Sequence, residues 1–487
     1  MKILFIASES VPFIKTGGLG DVVGSLSKQL AEDGHQVKVV IPLHQMINAE
    51  ENKLSLAYSP LKVQMGNTDM WCQVLKKKMS RNLVFYFIEY KGFFDRNPIY
   101  DDGLDAYTDN GARFAFLSKA GLDLSIELGF IPDVVHSHDW QTALASYYIK
   151  TWKWDKDYFK GTSSVLTIHN MGYQGQVEPG ISPFIGLNWM QLRDSEFEAL
   201  GAINLLKGGI FYSDKITTVS PNYAREILGE PGGNGLSPFL IRRKDDVIGI
   251  LNGIDTDEWD PQTDAFLPAN YSVSSLKGKA DCKKELQKQF LLELNPKKPI
   301  FSFVGRMASQ KGLDLLLGCV HEILTWDIQL IILGSGDPLL TTVFGDLPKW
   351  YPGKVGAYIG FQSYLAHLIE AGSDFFIMPS RYEPCGLNQL YSMLYGTIPI
   401  VRATGGLKDT VAKYDPVQKK GLGFTFDETT PMALKDTIGW ALYTWYNKPQ
   451  EILKMKKRGM KEDFSWKKAV LEYEKLYQQA QERKKSW

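Results

Sequence analysis

The sequence predicts an α/β protein built from two doubly wound, Rossmann-like domains facing a central cleft. Three observations carry this reading. The chain has 487 residues, too many for one ordinary core. It opens with a strand–helix–strand unit: "KILFIAS", then Leu19, Val22, Val23, Leu26 and Leu30 at helical spacing until Gly34, then "HQVKVVIP". Such a unit implies parallel strands joined by a right-handed crossover. The alternation breaks at the polar stretch "NGIDTDEWDPQTDAFLPANYS" and then restarts, which argues for two domains and not one large sheet.

Further strand runs in the first half are "NLVFYFIEY", "PDVVHSHD", "SSVLTIHN" and "DKITTVS". After the break come "PIFSFVGR", "IQLIILGSG", "KVGAYIGF", "DFFIMPSR" and "IPIVRAT", alternating with helical segments. The boundary is expected near residues 246–256, and the charged end "SWKKAVLEYEKLYQQAQERKKSW" reads as an amphipathic helix.

Composition narrows the function classes. With 44% apolar and 23% charged residues the chain is an ordinary globular sequence. Its 55 basic and 55 acidic residues cancel, so no overall field draws it to nucleic acid or an anionic membrane. Cys72, Cys282, Cys319 and Cys385 are scattered, without a Cys-x-x-Cys pair, which suits a reducing cytosol better than a disulfide framework or structural zinc. No run approaches the roughly 18 apolar residues of a membrane span, and the first residues read as a strand, not a secretory signal. A cytoplasmic protein is expected.

Open α/β sheets bind ligands beyond the carboxyl ends of their strands, and there the chemistry-bearing residues collect. Lys15, Thr16, Gly17 and Gly18 precede the first helix, where free N–H groups and a point charge suit a phosphate. A plain glycine turn with a solvated lysine is the competing reading. The spacing Gly18-x-Gly20-x-x-x-Gly24 is not a dinucleotide fingerprint. "HSHDW" sets His136, His138 and Asp139 at a strand end, and "TIHN" sets His169 and Asn170 at another. Hydrogen bonding to a polar ligand is favoured there over a metal, because no Glu or Cys partner stands at ligand spacing; for His136 a satisfied core histidine is the alternative.

In the second half Arg306 and Lys311 flank a short loop suited to a diphosphate. "PSRYEPCGLNQLYSMLYG" ends a strand at Ser380 and opens a helix after Glu383, Cys385, Gly386 and Leu387. Glu383 reads either as a ligand-orienting or a capping carboxylate, the backbone N–H groups of Gly386 and Leu387 as free for a ligand oxygen, and Cys385 as a small buried residue. Thr-Gly-Gly-Leu-x-Asp is written twice, at Thr16–Asp21 and Thr404–Asp409. Both copies are expected to offer glycine backbone to an anionic ligand, with lysine ahead of the first only, since Ala403 takes that place in the second.

"KTGGLGDVVG", "HSHDWQTAL", "TIHNMGYQG", "LNGIDTDEWDP", "GRMASQKGLDL", "PSRYEPCGLNQLY" and "RATGGLKDTV" together resemble the bacterial glycogen synthase and plant starch synthase family, in family order over nearly the whole chain. The resemblance implies a B-type glycosyltransferase fold, with residues 1–246 plus the returning helix 466–487 on the acceptor side and 247–465 on the donor side. It implies transfer of glucose from ADP-glucose to the non-reducing end of an α-1,4-glucan, with retention and without an essential metal or other cofactor. The partners implied are ADP-glucose or ADP and glycogen or a maltooligosaccharide.

By the same resemblance Lys15, Gly17 and Gly18 would meet the donor's diphosphate. Arg306 and Lys311 would hold it from the second domain, and Phe361, where the family often has tyrosine, would stack on adenine. Glu383 would orient the glucose hydroxyls with the backbone of Cys385, Gly386 and Leu387. Asn252 would contact the donor, and His169, Asp139 and Asp21 would serve the sugar and acceptor. Glu383, His169, Arg306 and Lys311 are thus the implied catalytic set. Related retaining transferases carry a second Glu eight positions on, where this chain has Tyr391. A double displacement through two carboxylates is therefore poorly supported. Sucrose synthase-like or other nucleotide-sugar transfer and a glucan-binding scaffold without turnover are the rival readings; a phosphorylase would need a pyridoxal phosphate lysine.

Overall fold

The computed structural model describes residues 1–103, 105–187 and 196–485. The chain divides into two compact units, Met1–Gly253 together with the helix Trp466–Lys485, and Ile254–Ser465.

The strands of the first unit are β1 (Lys2–Ile6), β2 (Gln36–Pro42), β3 (Ser55–Met65), β4 (Thr68–Lys78), β5 (Leu83–Glu89), β6 (Val134–His138) and β7 (Ser163–Ile168). A small antiparallel sheet follows from β8 (Gln176–Val177), β9 (Glu198–Ala199) and β10 (Ala202–Asn204), then β11 (Lys215–Thr218) and β12 (Val247–Gly249) return to the main sheet. The main sheet has the order β12-β11-β7-β6-β1-β2-β5-β4-β3. From β12 to β5 every pair is parallel. Because β12 joins this sheet, residues 247–253 lie with the first unit, so the division falls inside the expected 246–256 stretch but past the 246/247 division of the two sides.

The parallel strands are covered on both faces, which is why they read as unbroken apolar runs. In β1, Leu4 and Ile6 join one core with Phe114 and Leu117 of the helix Asn110–Glu127, while Ile3 and Phe5 join the other with Val22, Val23 and Leu26. The second core also takes in Val470, Tyr473 and Tyr477 of the C-terminal helix.

The antiparallel hairpin β3–β4 at the sheet edge was not anticipated. It is half-buried: Leu61, Val63, Met65, Cys72 and Val74 point inward between exposed neighbours, so its period-2 pattern shows no continuous run.

The second unit holds β13 (Ile300–Val304), β14 (Gln329–Gly334), β15 (Val355–Ile359), β16 (Phe375–Met378), β17 (Ile398–Arg402) and β18 (Phe424–Phe426). All are parallel, in the order β15-β14-β13-β16-β17-β18. The five expected strand runs supply β13 to β17.

Each sheet is wound in two directions from its first strand. The order reverses between β1 and β6 in the first unit and between β13 and β16 in the second. At such a switch point neighbouring loops leave towards opposite faces and open a crevice for a ligand. The Lys15 loop and His138–Asp139 follow β1 and β6; the Arg306–Lys311 loop and Ser380–Leu387 follow β13 and β16.

Candidate active site

In the second unit the switch point brings together residues far apart in sequence. β13 ends at Val304, and its loop runs through Arg306 to a 3-10 turn, Ser309–Lys311. Gly312 follows in the left-handed region at φ 67°, where a Cβ would lie 2.0 Å from the carbonyl oxygen of Pro379. Only glycine allows this approach, and it sets Lys311 beside the loop after β16. Lys311 Nζ lies 2.7 Å from Glu383 Oε2, and Ser380 Oγ donates to the same oxygen at 2.9 Å. Glu383 is buried, Lys311 half-buried and Arg306 exposed, the last donating a long 3.4 Å hydrogen bond to Gln310 Oε1.

The Glu383 loop is itself held from below. The Arg402 guanidinium, at the end of β17, donates to the carbonyls of Ser380 and Arg381. Gly406 N donates to the Glu383 carbonyl at 3.0 Å, and Asn388 Nδ2 to Val304 O at 2.9 Å, tying the next helix to β13. Cys385 is buried, and Gly386 and Leu387 lead into the helix Asn388–Leu394, whose first N–H groups lack intrahelical acceptors. Tyr391, on that helix, stacks on Trp259 with ring centres 3.8 Å apart and 10° between planes. An aromatic stack thus stands eight positions after Glu383. Phe361 follows β15 with 73% of its surface exposed, an open aromatic face.

In the first unit the expected residues fall into two groups. Lys15 Nζ pairs with Asp21 Oδ1 at 2.9 Å, so the structure sets Asp21 beside the lysine. Gly17 and Gly18 are exposed, and a Cβ on either would meet nothing within 4 Å. The second group follows β6 and β7. Asp139, left-handed at φ 54°, accepts the His169 amide hydrogen at 2.6 Å. His138 Nδ1 and His169 Nε2 are 3.0 Å apart, and the His136, His138 and His169 rings stack in sequence, 4.4 and 5.3 Å between centres.

Burial pushes His136 and His169 down to about 3 and His138 well below its usual range, so these imidazoles are neutral at physiological pH. Burial also lifts the Asp139 carboxyl to about 7. Both nitrogens of His136 are occupied, Nδ1 by Tyr477 Oη and Nε2 by Thr167 Oγ1, which makes it the satisfied core histidine. Asn252 is buried, its Oδ1 without a hydrogen-bond partner among the described residues.

Two residues were missed. Glu9 lies just past β1, buried, with Oε2 accepting from Thr16 N at 2.5 Å, and burial lifts its carboxyl to about 7. Tyr100 is half-buried, and its hydroxyl lies 2.7 Å from Ser8 Oγ. Glu9 had a signal, a lone carboxylate ending the apolar run "KILFIAS"; Tyr100 had none.

The profile of the starch synthase catalytic domain matches residues 2–242, and that of the group 1 glycosyl transferases residues 284–461. Glycogen synthase 1 of Geobacter sulfurreducens is 44% identical over 479 residues, 98% of this chain and 96% of that protein. The glycogen synthase of Treponema denticola is 41% identical over 493 residues, covering 100% of both. The catalytic domain of starch synthase IV from Arabidopsis thaliana, solved bound to ADP and acarbose, superposes with a TM-score of 0.91 at 32% identity, covering 99% of each chain. Sucrose-phosphate synthase from Thermosynechococcus elongatus has a TM-score of 0.62 at 17% identity over 98% of each chain, a likeness of fold alone. The chain belongs to the glycogen and starch synthase family and is a glycosyltransferase of the B-type fold.

Proposed function

We propose that the protein transfers glucose from ADP-glucose to the non-reducing end of an α-1,4-glucan with retention of configuration, elongating glycogen or a starch-like polymer in the cytoplasm. The observation that carries this reading is the Lys311–Glu383 pair at the switch point of the second unit, with Arg306 exposed on the same loop as Lys311.

In the proposed reaction Arg306 and Lys311 hold the donor's diphosphate. Charge develops on the leaving phosphate oxygen in the transition state, and fixed cations stabilise it there. Glu383 accepts hydrogen bonds from the glucose hydroxyls, its position set by Lys311 and Ser380. The backbone of Cys385, Gly386 and Leu387 completes the grip, and Phe361 and Asn252 serve the nucleotide and the donor. Lys15, Gly17 and Gly18 contact the diphosphate. His169, neutral by burial, and Asp139 contact the sugar and acceptor, with Asp21 acting through Lys15.

Because Tyr391 is an aromatic stacked on Trp259, no enzyme carboxylate is assigned as a second nucleophile. Attack from the leaving-group side, with the departing phosphate taking the acceptor's proton, is the favoured path. No metal is assigned a role, since Arg306 and Lys311 supply the positive charge; full turnover in excess chelator would support this and its loss would refute it.

The deciding experiment compares ADP-glucose with UDP-glucose as donor in the presence of glycogen. Faster elongation from ADP-glucose supports the reading. Failure with both donors sinks it.

A further inference from the structure

We propose that Glu9 is the positioning residue of the Lys15–Gly18 loop: its buried carboxylate anchors the loop by accepting the Thr16 amide hydrogen, and donor affinity depends on that anchor. The inference rests on assigning this loop to the donor's diphosphate. The base of the loop is closed by backbone bonds, Val11 N to Gly20 O and Ile14 N to Ser10 O. Its tip, Lys15 to Gly18, is exposed, and its glycines pack against nothing.

Two side-chain anchors reach that tip. One is the Lys15–Asp21 ion pair, with the lysine side chain 46% exposed, and such pairs contribute little. The other is Glu9, 2% exposed, bonding the Thr16 amide at 2.5 Å. A charged acceptor for a backbone N–H away from water is the stronger of the two. The Thr16 hydroxyl also interacts with Glu9 and with Tyr100.

Glu9 follows the buried strand β1, so it is fixed by the sheet, whereas the loop is not. The carboxylate therefore transfers the position of a rigid element to an exposed stretch of glycine backbone. Four ionisable groups face it: Lys15 and Asp21 from the loop and the helix after it, Tyr100, and Asp139 from the turn after β6. Burial raises the Glu9 carboxyl to about 7, with Asp21 adding to the rise and Lys15 opposing it. The anchor is thus charge-assisted above that pH and weakened below it. The donor's diphosphate, esterified at both ends, keeps its charge throughout.

The test is donor and glucan KM for the wild type, E9A, E9Q and K15A across this pH range, with ADP-glucose and glycogen. Wild-type donor KM should rise as pH falls through about 7. E9A should raise donor KM about tenfold above that pH, the size of one charge-assisted hydrogen bond, and by less below it, with glucan KM unchanged. E9Q, whose neutral amide oxygen still accepts from Thr16, should hold donor KM near the wild type's low-pH value and show no such pH dependence. The proposal is overturned if K15A raises donor KM and E9A does not, if E9A acts on glucan KM instead, or if E9Q keeps the wild-type pH dependence. An unchanged donor KM in K15A would remove the diphosphate assignment itself and this inference with it.

Discussion

At Gly17 and Gly18 in the first unit a Cβ would meet nothing within 4 Å. At Gly405 and Gly406 in the second it would lie 1.9 Å from the Glu383 carbonyl oxygen and 2.2 Å from that of Cys385. The same words, Thr-Gly-Gly-Leu, therefore serve different purposes. The expectation that both copies offer backbone to a ligand is corrected for the second: Gly405 and Gly406 are buried, and they are glycines because the Glu383 turn lies directly against them. Gly405 is also left-handed, at φ 45°, whereas Gly17 is extended at φ −161°. The first loop leaves its glycines open to a ligand and hangs from the Glu9 carboxylate. The second is a buttress, packed and hydrogen-bonded under the acidic turn. A repeated motif in two similar domains thus shows a shared place between a strand and a helix, and not a shared role.

The comparison can be broken at several points, beginning with the largest effect. Glu383→Ala removes what the second loop supports and should lower turnover about 10²–10³-fold, the scale of a lost transition-state contact. Its melting temperature should stay near the wild-type value; an unfolded variant, or one with near-normal turnover, would refute the assigned role. Lys15→Ala tests the first loop and should raise donor KM about tenfold while glucan KM holds. The reverse pattern would move Lys15 away from the diphosphate. Ser380→Ala removes one of the two bonds to Glu383 Oε2 and should cost several-fold in turnover, about 1 kcal/mol. No effect in steady-state assays would mean that Lys311 alone sets the carboxylate.

Much of the fold was legible because parallel strands covered on both faces must be continuous apolar runs, as "PIFSFVG" and "DFFIMPS" are. The hairpin β3–β4 escaped because one of its faces is exposed and its apolar residues are diluted two by two. At the site, residue types at strand ends pointed to Arg306, Lys311 and Glu383, but the Lys311–Glu383 bond spans 72 positions and exists only through the sheet order. His136, His138 and Asp139 read as one strand-end cluster, with a satisfied core histidine as the alternative for His136 alone. The structure separates them by partner: His136 to Tyr477 and Thr167, His138 to His169, Asp139 to the His169 amide. Why a glycine is needed, for a ligand or for a neighbouring carbonyl, is not written in the glycine, which is how the second loop was misread.

The most direct test of this division is a crossed measurement on the equivalent variants Gly17→Ala and Gly405→Ala, recording melting temperature and ADP-glucose KM for each. Gly405→Ala must push a methyl into the Glu383 carbonyl at a left-handed position, costing on the order of 2 kcal/mol and roughly 5 °C, with turnover falling as the acidic turn shifts. Gly17→Ala should leave the melting temperature unchanged and raise donor KM, because its methyl occupies the space assigned to the phosphates. Equal losses of stability in both variants, or a Gly17→Ala enzyme with wild-type donor KM, would contradict the account.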